Sequence, residues 1–276
     1  MEGLTSNPKE TALRDVLVSL GSVVVAYSGG VDSAYLALIA ARTLGARALA
    51  VTADSPSYPD RHRRFAIDIA TKFGLRHEII RTGELDRADY RANPENRCYF
   101  CKTELYTHLS AIASTRARGA TIVDGNNADD RADYRPGRQA AREFGVRSPL
   151  DEAGLTKDEI RELSRIAGLP TWDEPASACL SSRIPYHHEV TDEKLRMIER
   201  AERAIVAMGF RVCRVRHYDN GARVEIGRDE LWRALEPQTS AAIERELAAI
   251  GYRSVAIDPE GYRRGRLNEG LRLRVF

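Results

Sequence analysis

Ser22-Val23-Val24-Val25-Ala26-Tyr27-Ser28-Gly29-Gly30-Val31-Asp32-Ser33 is the stretch on which the fold turns. Its first half is a short β-branched run, of the kind that forms a buried strand, and it stops at a glycine pair. From Ser33 to Leu44 the chain reads as a helix, with apolar Leu36, Ile39 and Ala40. Strand, glycine turn and helix in that order make a phosphate-binding arrangement. Glycines permit backbone conformations closed to other residues and let an anion approach the main chain. Successive N–H groups and the positive end of the helix then face that anion. Ser28 and Ser33 add hydroxyl donors, whereas Asp32 cannot bind phosphate directly and is expected to hold Mg²⁺ or position the loop.

Working outward, residues 48–52 give a second buried strand and residues 59–73 a helix opened by proline. Residues 75–81 and 121–125 supply two more strands. Strands alternating with helices imply a parallel sheet covered on both faces. The period fails near residue 173, where residues 173–188 are rich in Pro, Ser and Ala. Beyond it Thr191 is an expected N-cap for a helix reaching Met208. Residues 210–218 and 222–226 read as a hairpin turning at Asp219-Asn220-Gly221. A helix over 241–250 and a strand over 254–257 complete a smaller α/β domain. The expected division is a first domain over 1–172, a loop over 173–189 and a second domain over 190–276.

Composition narrows the function. Hydrophobic residues are 43% and charged ones 30%, as in an ordinary soluble protein, and no apolar run is long enough to span a membrane. The first ten residues do not resemble a signal peptide, so a cytoplasmic location is expected. A formal charge of +2 argues against a protein built mainly to bind nucleic acid. The basic residues are almost all arginine, since lysine is found only at positions 9, 72, 102, 157 and 194. Four cysteines are too few for a secreted disulfide scaffold and suit metal ligands or reactive thiols.

The loop fits neither the Walker pattern nor Gly-x-Gly-x-x-Gly. It resembles instead the pyrophosphate (PP) loop of enzymes that split ATP between the α and β phosphates. That resemblance implies a Rossmann-like ATP pyrophosphatase domain of the adenine nucleotide alpha hydrolase kind. It also implies that AMP becomes attached to a carboxylate or carbonyl oxygen, which a nucleophile then displaces. Ser28, Gly29, Gly30, Asp32 and Ser33 would bind the nucleotide, with Asp54 at the end of the second strand. The segment Asp124-Gly125-Asn126-Asn127-Ala128-Asp129-Asp130 resembles a further signature, and Asp129 is a second candidate magnesium contact.

Cys98-Tyr99-Phe100-Cys101, placed just before a helix, could clasp a metal or a cluster with Cys179. Zinc would need a fourth ligand such as His187 or His188; three cysteines suit a 4Fe–4S cluster with one open iron. Glu174-Pro175-Ala176-Ser177-Ala178-Cys179-Leu180-Ser181-Ser182-Arg183-Ile184-Pro185-Tyr186 resembles the signature loop of the LarE family, the sulfurtransferases that help build the nickel-pincer cofactor of lactate racemase. Asn96-Arg97-Cys98-Tyr99-Phe100-Cys101-Lys102, Asp133-Tyr134-Arg135-Pro136-Gly137 and Gly261-Tyr262-Arg263-Arg264-Gly265-Arg266-Leu267-Asn268-Glu269 resemble it too. The resemblance implies adenylation and then sulfuration of each carboxylate of a pyridinium dicarboxylate mononucleotide. In one branch the cysteine matching Cys179 gives up its own sulfur. In another, an extra Cys-x-x-Cys goes with a 4Fe–4S cluster, and Cys98 and Cys101 place this sequence there. A sulfide source and a homo-oligomer, up to a hexamer, are further implied.

Arg214 and Arg216 stand two apart on an expected strand and share a face, where they could bind the substrate's phosphate and a carboxylate. Glu225 on the facing strand could orient them or contact a metal; Ser182 and Arg183 are substrate candidates by their adjacency to Cys179. Cys213 is expected to be a small buried residue. Three rival readings stay open: a tRNA thiolation enzyme of the same superfamily, against which the near-neutral charge speaks; an amide-forming synthetase; and a non-enzymatic regulator.

Overall fold

The computed structural model describes residues 7–117, 119–132, 136–175, 178–219 and 221–263. Asp133-Tyr134-Arg135, Ala176-Ser177, Asn220 and the stretch from Arg264 to Glu269, all named above, lie outside the described residues. The chain forms two compact units. One comprises Met1–Glu84 and Asn96–Ser177, the other Leu85–Glu95 and Ala178–Phe276.

The first unit opens with α1 (Pro8–Leu20), started by Asn7, whose side chain accepts from the N–H groups of Lys9 and Glu10. Then come β1 (Val23–Ala26), α2 (Val31–Leu44), β2 (Ala48–Asp54), α3 (Asp60–Lys72) and β3 (His77–Arg81). After α4 (Ala88–Arg91), which belongs to the second unit, follow α5 (Arg97–Thr115), β4 (Thr121–Val123), α6 (Gly137–Glu143), α7 (Pro149–Glu152) and α8 (Lys157–Ile166). The strands form one parallel sheet in the order β3-β2-β1-β4. Alternation along β1 divides the core as a two-sided sheet must. Val23 and Val25 pack with α1, α2 and α8; Val24 faces Tyr106 and Leu109 of α5 and Ala140 of α6. The expected parallel sheet with both faces covered is therefore observed.

The second unit adds α9 (Asp192–Ala207), β5 (Cys213–Tyr218), β6 (Gly221–Ile226), α10 (Arg228–Leu235), α11 (Pro237–Ile250) and β7 (Ser254–Ile257). Thr191 caps α9 as expected, accepting from the N–H of Lys194. β5 and β6 are antiparallel and β7 joins β6 in parallel, so the sheet reads β5-β6-β7. Cys213 is buried in this unit's core with Val215 and Val224.

Candidate active site

β1 ends at Ala26 and α2 begins at Val31, which leaves Ser28-Gly29-Gly30 as the turn between them. Gly29 sits at φ 65°, and a Cβ there would lie 2.7 Å from Cβ of Ala66, so only glycine fits. Gly30 is the N-cap of α2 and no side chain caps it, which leaves first-turn N–H groups for an anion. Oγ of Ser33 accepts from the N–H of Ser28 at 3.1 Å and lies 3.0 Å from Oγ of Ser28, closing the loop. The Tyr58 hydroxyl donates to the Ser28 carbonyl at 2.8 Å. Burial, and then the nearby Asp54 charge, push this hydroxyl well above the usual tyrosine range, so it keeps its proton.

Asp32 lies in the first turn of α2. One of its oxygens accepts from Nδ2 of Asn127 at 3.3 Å, and the other stands 2.5 Å from Nζ of Lys157. Gly125 lets the segment after β4 press against this helix start, since a Cβ there would be 3.0 Å from the Ser33 nitrogen. Asp129 accepts from the N–H of Lys157 at 2.8 Å and so helps cap α8. Asp124 is buried and takes bonds from Tyr106, Asn126 and Ser148, which marks it as an organiser of the segment. Asp54, the last residue of β2, is half-buried, with Nε of Arg63 3.6 Å away.

Cys98 and Cys101 lie within the first two turns of α5, not before it as the sequence had suggested. At this spacing both point along one helix face. Cys98 is exposed, Cys101 is half-buried, and no disulfide joins any of the four cysteines. Among the described residues no three His, Cys, Asp or Glu side chains are gathered into a metal-binding group. Cys98 and Cys101 belong to the first unit and Cys179 to the second.

Cys179 is half-buried and leads into a 3-10 turn, Leu180–Arg183. Its carbonyl accepts from the N–H of Ser182 and from Nη1 of Arg183, both at 3.0 Å. Arg183 is fully buried, and it also donates to the Ala178 carbonyl at 2.7 Å and grips Glu202 of α9 through two bonds of 2.8 and 2.9 Å. Burial works to lower its pKa, but the Glu202 carboxylate outweighs that and holds it above the usual arginine value. Arg183 was expected to touch substrate. Its guanidinium is instead committed to Glu202 and the loop carbonyls, so it shapes the backbone around Cys179.

The segment Leu85–Glu95 holds the other side of this loop. Asn93, buried at φ 54°, donates from its amide to the carbonyls of Pro185 (2.7 Å) and His188 (3.0 Å). The Tyr90 hydroxyl lies 2.7 Å from Oγ of Ser181. Arg214 and Arg216 share a face of β5 as expected. Arg216 donates to the Ser182 carbonyl at 2.8 Å and to Glu225 at 2.9 Å, and Glu225 stands opposite Arg214 in the strand register. Arg214 lies over the Tyr262 ring at 5.0 Å; burial and then the Arg183 charge lower its pKa. Ser182, Arg216 and Glu225 are thus brought together in the second unit, and Ser28, Gly29, Gly30, Asp32, Ser33 and Asp129 in the first.

Residues 10–107 match the asparagine synthase family. An uncharacterized protein of Synechocystis sp. is 42% identical over 94% of this chain and 96% of its own. Pyridinium-3,5-bisthiocarboxylic acid mononucleotide synthase of Lactiplantibacillus plantarum is 32% identical, over 95% of each chain. This chain belongs to that synthase's family. As a LarE-family member carrying the PP-loop domain, it is an ATP-dependent enzyme of the synthase and sulfurtransferase kind. An uncharacterized protein of Methanocaldococcus jannaschii is 27% identical over 87% of this chain. No helix among the described residues is long and apolar enough to cross a membrane.

Sequence reasoning missed Lys157 in the first unit and, in the second, Glu202 and the Tyr90–Asn93 support. Thr156-Lys157-Asp158-Glu159 carries a capping-box signal that places Lys157 at a helix start. Asn93-Pro94 is a turn dipeptide. Nothing local distinguishes Glu202 from its helical neighbours.

Proposed function

We propose that this enzyme adenylates the carboxylates of pyridinium-3,5-biscarboxylic acid mononucleotide and converts them to thiocarboxylates for nickel-pincer cofactor synthesis. The observation that carries this reading is the identity, along nearly the whole of both chains, to pyridinium-3,5-bisthiocarboxylic acid mononucleotide synthase. The arrangement of the phosphate loop supports it.

In the first step a substrate carboxylate oxygen attacks the α-phosphorus of ATP. The bond to the bridging oxygen breaks, pyrophosphate leaves and an acyl adenylate remains. The N–H groups at the start of α2, with Ser28 and Ser33, orient the phosphates and stabilise the departing charge. Asp32 fits a cation, since one of its oxygens already faces the Lys157 ammonium; with Asp129 it is the proposed magnesium contact, and Asp54 a proposed nucleotide contact. In the second step sulfur attacks the acyl carbon and AMP leaves. Cys179 is the proposed centre of sulfur delivery, with Ser182, Arg214, Arg216 and Glu225 positioning the substrate and Arg183 fixing the loop.

The i, i+3 thiols of Cys98 and Cys101 suit two ligands of a 4Fe–4S cluster, and Cys179 is the proposed third. Such a cluster supplies a soft site for sulfide. A sulfide donor, a cytoplasmic setting and assembly into a homo-oligomer, up to a hexamer, belong to the same proposal. The test is turnover without oxygen, with MgATP, substrate and sulfide. Pyrophosphate release coupled to a product whose mass shows oxygen exchanged for sulfur is expected; pyrophosphate release with ammonia and an amide product would overturn the reading. Iron and acid-labile sulfide in protein purified without oxygen, lost in Cys98→Ala, are expected as well. Iron-free protein that still sulfurates, with loss of hydrogen sulfide from its own mass, would transfer the role to sacrificial Cys179.

A further inference from the structure

The segment after β4 borders more than the phosphate loop. Beside Asn126 lies a cavity of about 220 Å³, lined by residues of the first unit. Asn126, Arg138, Arg142 and Arg147 form its walls, with Asp151 and Glu152 of α7.

The sheet puts this cavity where ligands are bound. Asn126 follows the carboxyl end of β4, and Val123 of that strand pairs with Arg147. In open parallel sheets ligands bind outside the carboxyl ends of the strands. A Cβ on Gly125 would be 3.0 Å from the Ser33 nitrogen, so the cavity begins one residue from the point where this segment meets the phosphate loop.

Its walls are fixed and positively charged. Asp124 accepts from Nδ2 and the N–H of Asn126 at 2.6 and 3.2 Å, and from Oγ of Ser148 at 2.7 Å. Arg147 grips both oxygens of Glu152. Arg138 donates to the Asp130 carbonyl at 2.8 Å and to Asp151 at 3.2 Å, and Arg131 also holds Asp151. Both carboxylates are therefore answered without Arg142. That side chain is exposed, and it makes no hydrogen bond or ion pair with another described residue. Four arginines against two carboxylates leave an excess of two positive charges. A guanidinium also offers paired donors that match a carboxylate or a phosphate. The volume falls below the roughly 300–1,000 Å³ of a pocket that encloses a drug-sized ligand, so it suits one anionic end of a molecule and not a whole mononucleotide.

We propose that this cavity is an oxyanion subsite for the substrate, in which Arg142 binds either the carboxylate that is not being activated or the ribose phosphate. The inference rests on the pyridinium dicarboxylate mononucleotide being the substrate, as read above. An anion held here anchors the substrate beside the segment that reaches Asp32 through Asn127 and leaves a carboxylate for ATP.

Titration calorimetry of the full chain tests this on wild type, Arg142→Gln and Arg142→Lys. The probes are the dicarboxylate mononucleotide, the same mononucleotide lacking one carboxylate, pyridine-3,5-dicarboxylate and MgATP. Arg142→Gln is expected to weaken the dicarboxylate mononucleotide about 10-fold, the lower end for a lost charge-assisted contact because the side chain is exposed. Arg142→Lys should recover part of that loss, and MgATP should stay within about twofold. Weakening shared by the monocarboxylate mononucleotide places the phosphate in the cavity; weakening shared by pyridine-3,5-dicarboxylate places the second carboxylate there. Wild-type affinity of Arg142→Gln for all three pyridine probes would overturn the proposal. Equal weakening of MgATP would also overturn it and make Arg142 a support for the nucleotide site. A wild-type protein that binds none of the three would overturn the substrate reading with it.

Discussion

Gly29 and Arg183 do opposite kinds of work within their loops. Gly29 acts by what it lacks. A methyl group there meets Ala66 and must also adopt a positive φ, so Gly29→Ala should cost on the order of 1–3 kcal/mol and abolish pyrophosphate release. Denaturant titration and a pyrophosphate assay check the two effects separately. Arg183 acts by what it holds. Arg183→Met removes the partner of a largely buried carboxylate and releases the carbonyls of Ala178 and Cys179. We expect a loss near the lower end of about 3–5 kcal/mol, because the Glu202 side chain keeps 15% exposure. If stability were unchanged and only substrate affinity fell, Arg183 would be a substrate ligand after all. Asp32→Ala should stop pyrophosphate release before any sulfur chemistry, which the same assay reads.

At the scale of elements, the segment Leu85–Glu95 has the most unexpected role. It interrupts the first unit in sequence, yet its hydrogen bonds fasten residues 181–190 of the second: Tyr90 to Ser181, Arg91 to Val190, Asn93 to Pro185 and His188. Asn93→Ala removes the amide that donates to the Pro185 and His188 carbonyls and keeps an unfavourable φ, so a cost of about 1–3 kcal/mol is expected. Hydrogen exchange should show faster opening of residues 181–190 with the PP-loop sheet unaffected; uniform acceleration would mean that the segment does not act locally. The β1–loop–α2 unit, the hairpin and β7 were legible because period, glycine placement and β-branching agree there. α5 was placed too late because Arg97 and Cys98 carry no start signal, and the side chain of its N-cap Asn96 makes no capping bond. The insertion was illegible because its partners lie some ninety residues on, 91 from Tyr90 to Ser181, and no local pattern records them.

For the whole molecule, acid should be destabilising in a specific window. His77 beside Thr52 is half-buried and His217 beside Tyr252 is buried, and this desolvation lowers both pKa values below the ordinary 6.5. The unfolded chain therefore binds protons more readily than the folded one. Their contribution is complete above 6.5 and is lost as pH falls through that value toward their folded pKa values. Melting temperature should drop across that interval, with a shallower slope in His77→Gln; an unchanged slope would clear His77 of the effect. The candidate site was legible in the sequence only as residue types. Arg214, Arg216 and Glu225 could be read as neighbours because strand geometry sets their faces, whereas Lys157 and Glu202 reach their partners through tertiary packing.

The central claim is that ATP-driven activation and sulfur delivery are separate steps, the second of which needs Cys179. A single-turnover assay of Cys179→Ala, with pyrophosphate and thiocarboxylate product quantified together, tests it most directly. We expect pyrophosphate to appear at a rate close to that of the wild type while no thiocarboxylate forms. Thiocarboxylate at the wild-type level would contradict the account.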